Sequence, residues 1–280
     1  MRNKIVLNSP RFIELKKKQH KAIRRKILFI TIFFIFVLVG LSFLSKWQAL
    51  NISDIKITGN KVIETKTIED IVQGKISGNY LYFLPKTNFL FYPKKEIVEE
   101  LTAKFKRIKD ISINVSNLKT LNISLTERTA LYTYCGVAPA ELDEKDQKCY
   151  FMDEDGFIFD EAPYFSGEVY TKFYGNTGPY FFKPNFTKLV SLKDSFKSIG
   201  VKPVVFFVED NGDIEVFLSS TTTQLGPFII FKADADFTKI AENLQTVITT
   251  EPLQTEFKNK YSSLLYIDLR FGNKVYYKFR

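Results

Sequence analysis

Histidine is almost missing from this chain of 280 residues: His20 is the only one, and the cysteines number two, Cys135 and Cys149. His20 falls within the first 26 residues, so the other 254 hold no imidazole, which excludes Ser–His and Cys–His nucleophile pairs there. Two lone thiols without an imidazole do not make a zinc site. A calcium loop is excluded at Asp153–Asp155, because Gly156 falls at the fourth position of the motif instead of the sixth. No Gly-rich phosphate-binding pattern occurs either, so neither a metal nor a cofactor is expected.

Other catalytic patterns are incomplete. Ser53 to Lys56 and Ser116 to Lys119 match S-x-x-K, but the companion S-D-N and K-T-G motifs are absent. The carboxylates cluster at Asp153, Glu154 and Asp155, at Asp160 and Glu161, and at Glu209, Asp210 and Asp213. These are turn-like stretches, where acidic residues are expected without catalysis. The chain is therefore read as a non-enzyme with no small-molecule substrate. Basic charge outside the N-terminus is also lacking. Ten of the 40 Lys and Arg and one of the 31 acids lie in residues 1–26, which accounts for the whole formal net charge of +9. The remainder is neutral and has no basic stripe for nucleic acid.

After that basic stretch, residues 27–45 (ILFITIFFIFVLVGLSFLS) hold no charge. As a helix they rise roughly 28 Å, close to the ~30 Å hydrocarbon core of a bilayer. Lys46 and Trp47 follow, a cation and an interfacial aromatic. The positive-inside rule puts the N-terminus in the cytoplasm and residues 46–280 outside. A cleaved signal peptide is the alternative. The long charged leader, the length of the apolar run and the lack of an A-x-A-like site favour a retained anchor. In an exported, oxidising setting, Cys135 and Cys149 are expected to form a disulfide across the base of their loop; two reduced, facing thiols are the other reading.

The exported part reads as two domains. In the first, Ile55 and Ile57 alternate in a strand that stops at Gly59-Asn60, and Thr67 caps a short helix with Ile68, Ile71 and Val72 on one face. Pro93 opens a second helix with the stripe Ile97, Val98, Leu101 and Phe105. Two alternating strands follow, Ile111–Val115 and Leu121–Leu125. The order is β-α-α-β-β. The second domain is richer in strands. It has hairpins around Asp155-Gly156 and Asn211-Gly212, a helix over 187–200, and a helix with Phe237, Ile240, Leu244 and Ile248 at core spacing. The fold class is α+β: a single-pass membrane protein whose second domain is a mixed, mostly antiparallel sheet with two packing helices.

IKITGNKVIETKTIEDIV (55–72), LNISLTERTALYTY (121–134), CYFMDEDGFIF (149–159), the QLG…FTKIAENLQTVI segment and YIDLRFGNKVYYK (266–278) occur in an order that resembles the bacterial division proteins of the FtsQ/DivIB family. The likeness spans most of the chain and is weakest over 164–200. Thr129-Ala130 stand where the family usually has proline after the Glu-Arg pair, and the cysteine pair is not a general family feature. The resemblance implies a cytoplasmic tail (1–26), a transmembrane helix (27–45), a linker (46–51), a polypeptide-transport-associated (POTRA) domain (52–128) and a β domain (129–280) with a C-terminal edge hairpin. It implies a divisome scaffold at the septum, linking the division ring to septal peptidoglycan synthesis. Its implied partners are FtsB/FtsL-like bitopic proteins at the β edge, other division membrane proteins at the POTRA domain, and the lipid bilayer. A POTRA-type translocation or assembly factor and a membrane-tethered cell-wall enzyme are the alternatives.

The final stretch, LLYIDLRFGNKVYYKFR, reads as two strands about a tight turn. Matching both faces favours a three-residue loop, Gly272 to Lys274, which sets Phe271 opposite Val275, Leu269 opposite Tyr277, Ile267 opposite Phe279 and Asp268 opposite Lys278. Val275, Tyr277 and Phe279 then face inward and Tyr276, Lys278 and Arg280 outward. The residues alone leave two readings for this edge, a guarded strand or a docking strand. The family resemblance implies docking by strand addition at Arg270, Lys274, Val275, Tyr276, Tyr277, Lys278, Phe279 and Arg280. On that expectation Tyr276→Pro weakens partner capture.

Overall fold

A computed structural model describes residues 10–81, 83–139, 147–220 and 225–280, with side chains from Glu14 onward. The chain is α+β and divides into two compact units, Met1–Glu127 and Arg128–Arg280.

The first unit begins with one long helix, α1 (Pro10–Ser45), which runs from the basic stretch straight through the apolar one. Its 36 residues rise about 54 Å. By length and composition it can cross a membrane, and a signal sequence meets the same test. Residues 46–51, expected as a linker, hold a 3-10 turn (Gln48–Leu50) stitched to the helix end. Asn51 Nδ2 donates to the carbonyls of Ser45 (3.0 Å) and Trp47 (2.8 Å), and Asn88 Nδ2 donates to Ser45 O (3.1 Å). At Ser45 the two amides satisfy a carbonyl that a helix C-terminus leaves without an intrahelical partner.

Next come β1 (Asp54–Thr58), α2 (Thr65–Ile76), a two-stranded ribbon of β2 (Asn79–Tyr80) and β3 (Leu84–Pro85), α3 (Lys94–Lys104), β4 (Ile108–Ser116) and β5 (Thr120–Glu127). The sheet order is β1-β5-β4, with β5 parallel to β1 and antiparallel to β4. Ile68, Val72, Ile97 and Leu101 from the helices and Ile113, Leu121 and Ile123 from the sheet are buried in one core, as the apolar spacing leads one to expect. Helix α2 starts two residues before the expected cap at Thr67, with Glu64 at the N-cap. The reason lies in the preceding loop. Asn60 Nδ2 donates to Ile63 O and Thr65 Oγ1, and the Glu127 carboxylate receives the N–H groups of Lys61, Val62 and Ile63, which turns the chain into the helix early. Gly59, at φ +87°, permits the approach, since a Cβ there would lie 2.0 Å from Leu125 O.

In the second unit the described strands are β6 (Tyr132–Tyr134), β7 (Cys149–Met152), β8 (Ile158–Ala162), β9 (Lys172–Gly175), β10 (Pro203–Val208), β11 (Asp213–Leu218), β12 (Phe228–Lys232), β13 (Leu264–Phe271) and β14 (Lys274–Phe279). They form one sheet in the order β14-β13-β12-β11-β10-β9-β6-β7-β8. Most joints are antiparallel; β12/β13, β10/β9 and β9/β6 are parallel. Parallel neighbours need a crossover. Helix α4 (Phe186–Ser198) supplies one between β9 and β10, and α5 (Phe237–Ile248) with α6 (Leu253–Asn259) supplies another between β12 and β13. Leu189, Phe196, Leu244 and Leu253 of these helices share one core with Phe173, Phe206, Phe231 and Ile267 of the strands, so the helices cover the same face. The short α6 was not expected. Among its residues only Leu253 is buried, too little for an apolar period.

Candidate functional site

The last crossover determines what sits at one edge of the large sheet. Asp236 caps α5 by accepting from Thr238 N (3.0 Å), and the buried stripe Phe237, Ile240, Leu244 and Ile248 seats the helix on the sheet. On the exposed side of α5, Asn243 Nδ2 donates to Gly272 O (3.0 Å), which holds the turn between β13 and β14. That turn has two residues, Gly272 and Asn273, with Phe271 opposite Lys274 and Gly272 at φ +65°, the place where a two-residue hairpin wants glycine.

The expected three-residue loop and its pairings are therefore corrected. Asp268 lies opposite Tyr276 and Ile267 opposite Tyr277, with register shifts between Asp268 and Phe271 and between Leu264 and Tyr266. The extra residues sit on β13 as bulges, so the mismatch that a longer loop would have absorbed is absorbed in the strand. Face parity survives: Val275, Tyr277 and Phe279 are half-buried against the core, whereas Lys274, Tyr276, Lys278 and Arg280 are exposed.

An electrostatic clamp holds the first bulge. Arg270 Nε and Nη2 donate to Asp268 (3.0 and 2.6 Å), and Nη1 donates to Asp213 Oδ2 on β11 (2.8 Å). Lys232 Nζ on β12 lies 2.5 Å from Asp213 Oδ1. The hydrogen bonds that Arg270 donates to Asp268 and then to Asp213 push its pKa further up, despite partial burial. Burial alone would raise the Asp213 carboxyl, but Lys232 and Arg270 hold it below the ordinary value. Arg270, expected to touch a partner, has a partly exposed guanidinium paired with Asp268 and Asp213, so it also positions the edge. Sequence reasoning placed Asp213 in a turn cluster and Asp268 opposite Lys278, and missed Lys232 and the shared contact with Arg270, whose only signal was charge alternating with apolar residues in three strands.

The direction of the peptide groups follows from one hydrogen bond. Arg280 N donates to Ser263 O (2.7 Å) beside β13. Peptide groups alternate sides along a strand, so those of Lys278 and Tyr276 also point to β13, and those of Val275, Tyr277 and Phe279 point away. The outer row can accept another strand, whose inward side chains would continue a core now only half-covered at this edge. Strand β14 has no proline, and the bulges lie on its neighbour. The opposite edge, β8, is protected differently: its pairing with β7 is bulged, it contains Asp160 and Glu161, and Pro163 follows it.

Two further groups lie elsewhere in this unit. Cys135 and Cys149 are disulfide-bonded, with Cα atoms 4.1 Å apart at the end of the β6/β7 pair. On β11, burial first and the neighbouring Glu209 second raise the Glu215 carboxyl to about 7. No family model matches the chain, and no curated protein matches it.

Proposed function

We propose that the chain is a non-enzymatic scaffold of the bacterial division machinery, of the FtsQ/DivIB kind. In this reading α1 spans the cell membrane with the basic end in the cytoplasm, and the β-α-α-β-β unit is a POTRA domain. The second unit captures small bitopic FtsB/FtsL-like proteins by strand addition at β14, which connects the division ring to septal wall synthesis. The observation that carries the reading is the open edge: three outward peptide groups on a strand whose inner face is half-covered. The resemblance of the sequence supplies the identity of the partner.

The test uses the full chain in detergent and candidate FtsB/FtsL-like partners. Val275→Pro removes one outward donor and leaves the β13 ladder complete, so capture should weaken about tenfold or more. Tyr276→Pro, the substitution the sequence alone would choose, removes a donor from the β13 ladder instead, so its effect on capture would be mixed with a loss of stability. Undiminished capture by a Val275→Pro chain with a wild-type melting curve would rule out docking at this edge.

A further inference from the structure

The ribbon between α2 and α3 is not used by the proposed scaffold role. The described residues of its tip are apolar and exposed: Leu81 is 74% and Phe83 48% accessible. Nearby Leu90 (68%) and Trp47 (64%) are exposed as well. Surface turns usually place Gly, Asn or Asp at positive φ, but here the residue at φ +47° is Leu81. Leucine is disfavoured in that conformation, which Leu118 in the β4–β5 turn also adopts. Exposed apolar clusters of this kind mark contact sites.

Hydrogen bonds fix where the cluster lies. Ser42 Oγ, inside the apolar stretch of α1, donates to Phe83 O (3.1 Å). Ser42 is three residues from the helix end at Ser45, about 4.5 Å along the axis. The strand-like stretch before Leu90 is bound to the same end: Asn88 pairs with Asn51 and donates to Ser45 O. The ribbon tip is thus level with the last turn of α1. The Lys86 ammonium lies 5.2 Å from the centre of the Tyr80 ring at the ribbon's base, an arrangement suited to a headgroup layer.

We infer that the β2–β3 ribbon is a lipid-contacting foot: Leu81 and Phe83, flanked by Trp47 and Leu90, enter the interfacial layer of the leaflet from which α1 emerges. The inference rests on reading α1 as a membrane span. Continuity with that helix selects lipid over a protein partner, because any bilayer that surrounds Ser42 also surrounds the group hydrogen-bonded to it. The Phe83 carbonyl enters this layer already satisfied, as lipid requires. The foot gives the first unit a second point of membrane attachment beside the helix.

Trp47 is the only tryptophan, which makes the test direct. The full chain is reconstituted in phosphatidylcholine liposomes whose acyl chains are brominated close to the headgroup, and tryptophan quenching is read. In a Trp47→Phe background, tryptophan is placed by Leu81→Trp, by Phe83→Trp, and by Val62→Trp at the far end of β1 from the helix. Loss of emission in both ribbon variants, with Val62→Trp unaffected, is the expected result. Resistance to alkaline carbonate extraction reports the span separately. Extraction-resistant protein with unquenched ribbon variants overturns the foot and leaves the span. Equal quenching in Val62→Trp also overturns it, since the contact would not belong to the ribbon. Release by carbonate removes the span reading and the foot with it.

Discussion

Glu127 and Arg128 are neighbours in sequence, and each serves its own unit. The Glu127 carboxylate receives the N–H groups of Lys61 (2.8 Å), Val62 (2.9 Å) and Ile63 (3.0 Å). Arg128 Nη1 donates to the buried Asp153 (2.5 Å), and its guanidinium lies 3.9 Å from the centre of the Phe157 ring. Glu127→Ala would strand three donors and should cost on the order of 3 kcal/mol by denaturant titration. Burial alone would raise the Glu127 pKa, but the three N–H groups bring it below the ordinary value. Its contribution is therefore present above the usual carboxylate pKa and lost as pH falls through the lowered one. Glu215 behaves oppositely. Its folded pKa is raised to about 7, so the folded state holds a proton that the unfolded state releases. Stability of the second unit should decline as pH rises from about 4.5 to about 7, by on the order of 1–2 kcal/mol once solvent screening at a half-buried site is allowed for. Glu215→Gln should flatten that slope, and a pH series of denaturant melts would reveal it. Neither role can be read from sequence. Glu127 is visible there only as half of a Glu-Arg pair, and Glu215 acquires its partner Glu209 only when β10 and β11 pair.

At the scale of elements, alternation identified the inward and outward residues of β14 but not their register. The bulge at Leu269–Arg270 sets Arg270 against Asp213, which lies 57 residues away, and no local period encodes such a contact. Arg270→Ala should therefore lower the stability of the hairpin and leave Asp213 and Asp268 without their shared cation. The expected cost is about 3 kcal/mol, the scale for breaking a mostly buried ion pair. A smaller loss, below about 1 kcal/mol, would mean that the turn and α5 hold the register without it. The disulfide acts on a different element. Replacing both Cys135 and Cys149 by serine should cost about 3 kcal/mol through the loop entropy of the unfolded chain. Partner capture should persist in the folded fraction, because β6 and β7 stand far from β14 in the strand order. Melting curves with and without reductant, followed by capture below the melting point, separate the two effects. The β2–β3 ribbon escaped sequence reading because its strands have two residues each.

For the whole molecule, the order of elements was largely legible: one apolar helix, a β-α-α-β-β unit and a strand-rich unit follow from periodicity and turn residues. The parallel joints of the large sheet were not, because they depend on which strands each helix connects and not on the strands themselves. The partition of charge was legible too, with the basic excess confined to residues 1–26 and eight of its ten basic residues lying in α1. If the proposed scaffold role holds, a fluorescent fusion of the full chain should collect at division sites. The Val275→Pro chain should stay membrane-bound but lose that enrichment, provided the partner is what retains it. A uniform membrane distribution of the wild-type fusion would count against the role.

In the first unit, the strand at the centre of the sheet is also the last of its three to be synthesised. Strand β1 has only β5 beside it, and Asp54 must find Thr120 across 65 intervening residues. Translation thus delivers both helices and β4 before there is anything for β1 to join, so Ile55 and Ile57 remain without a strand neighbour through most of the unit's synthesis. The unit closes in a single late event. A ribosome stalled between α1 and Thr120 leaves a chain with an unfinished sheet, whose unpaired β1 edge and uncovered apolar residues set it apart from the finished unit.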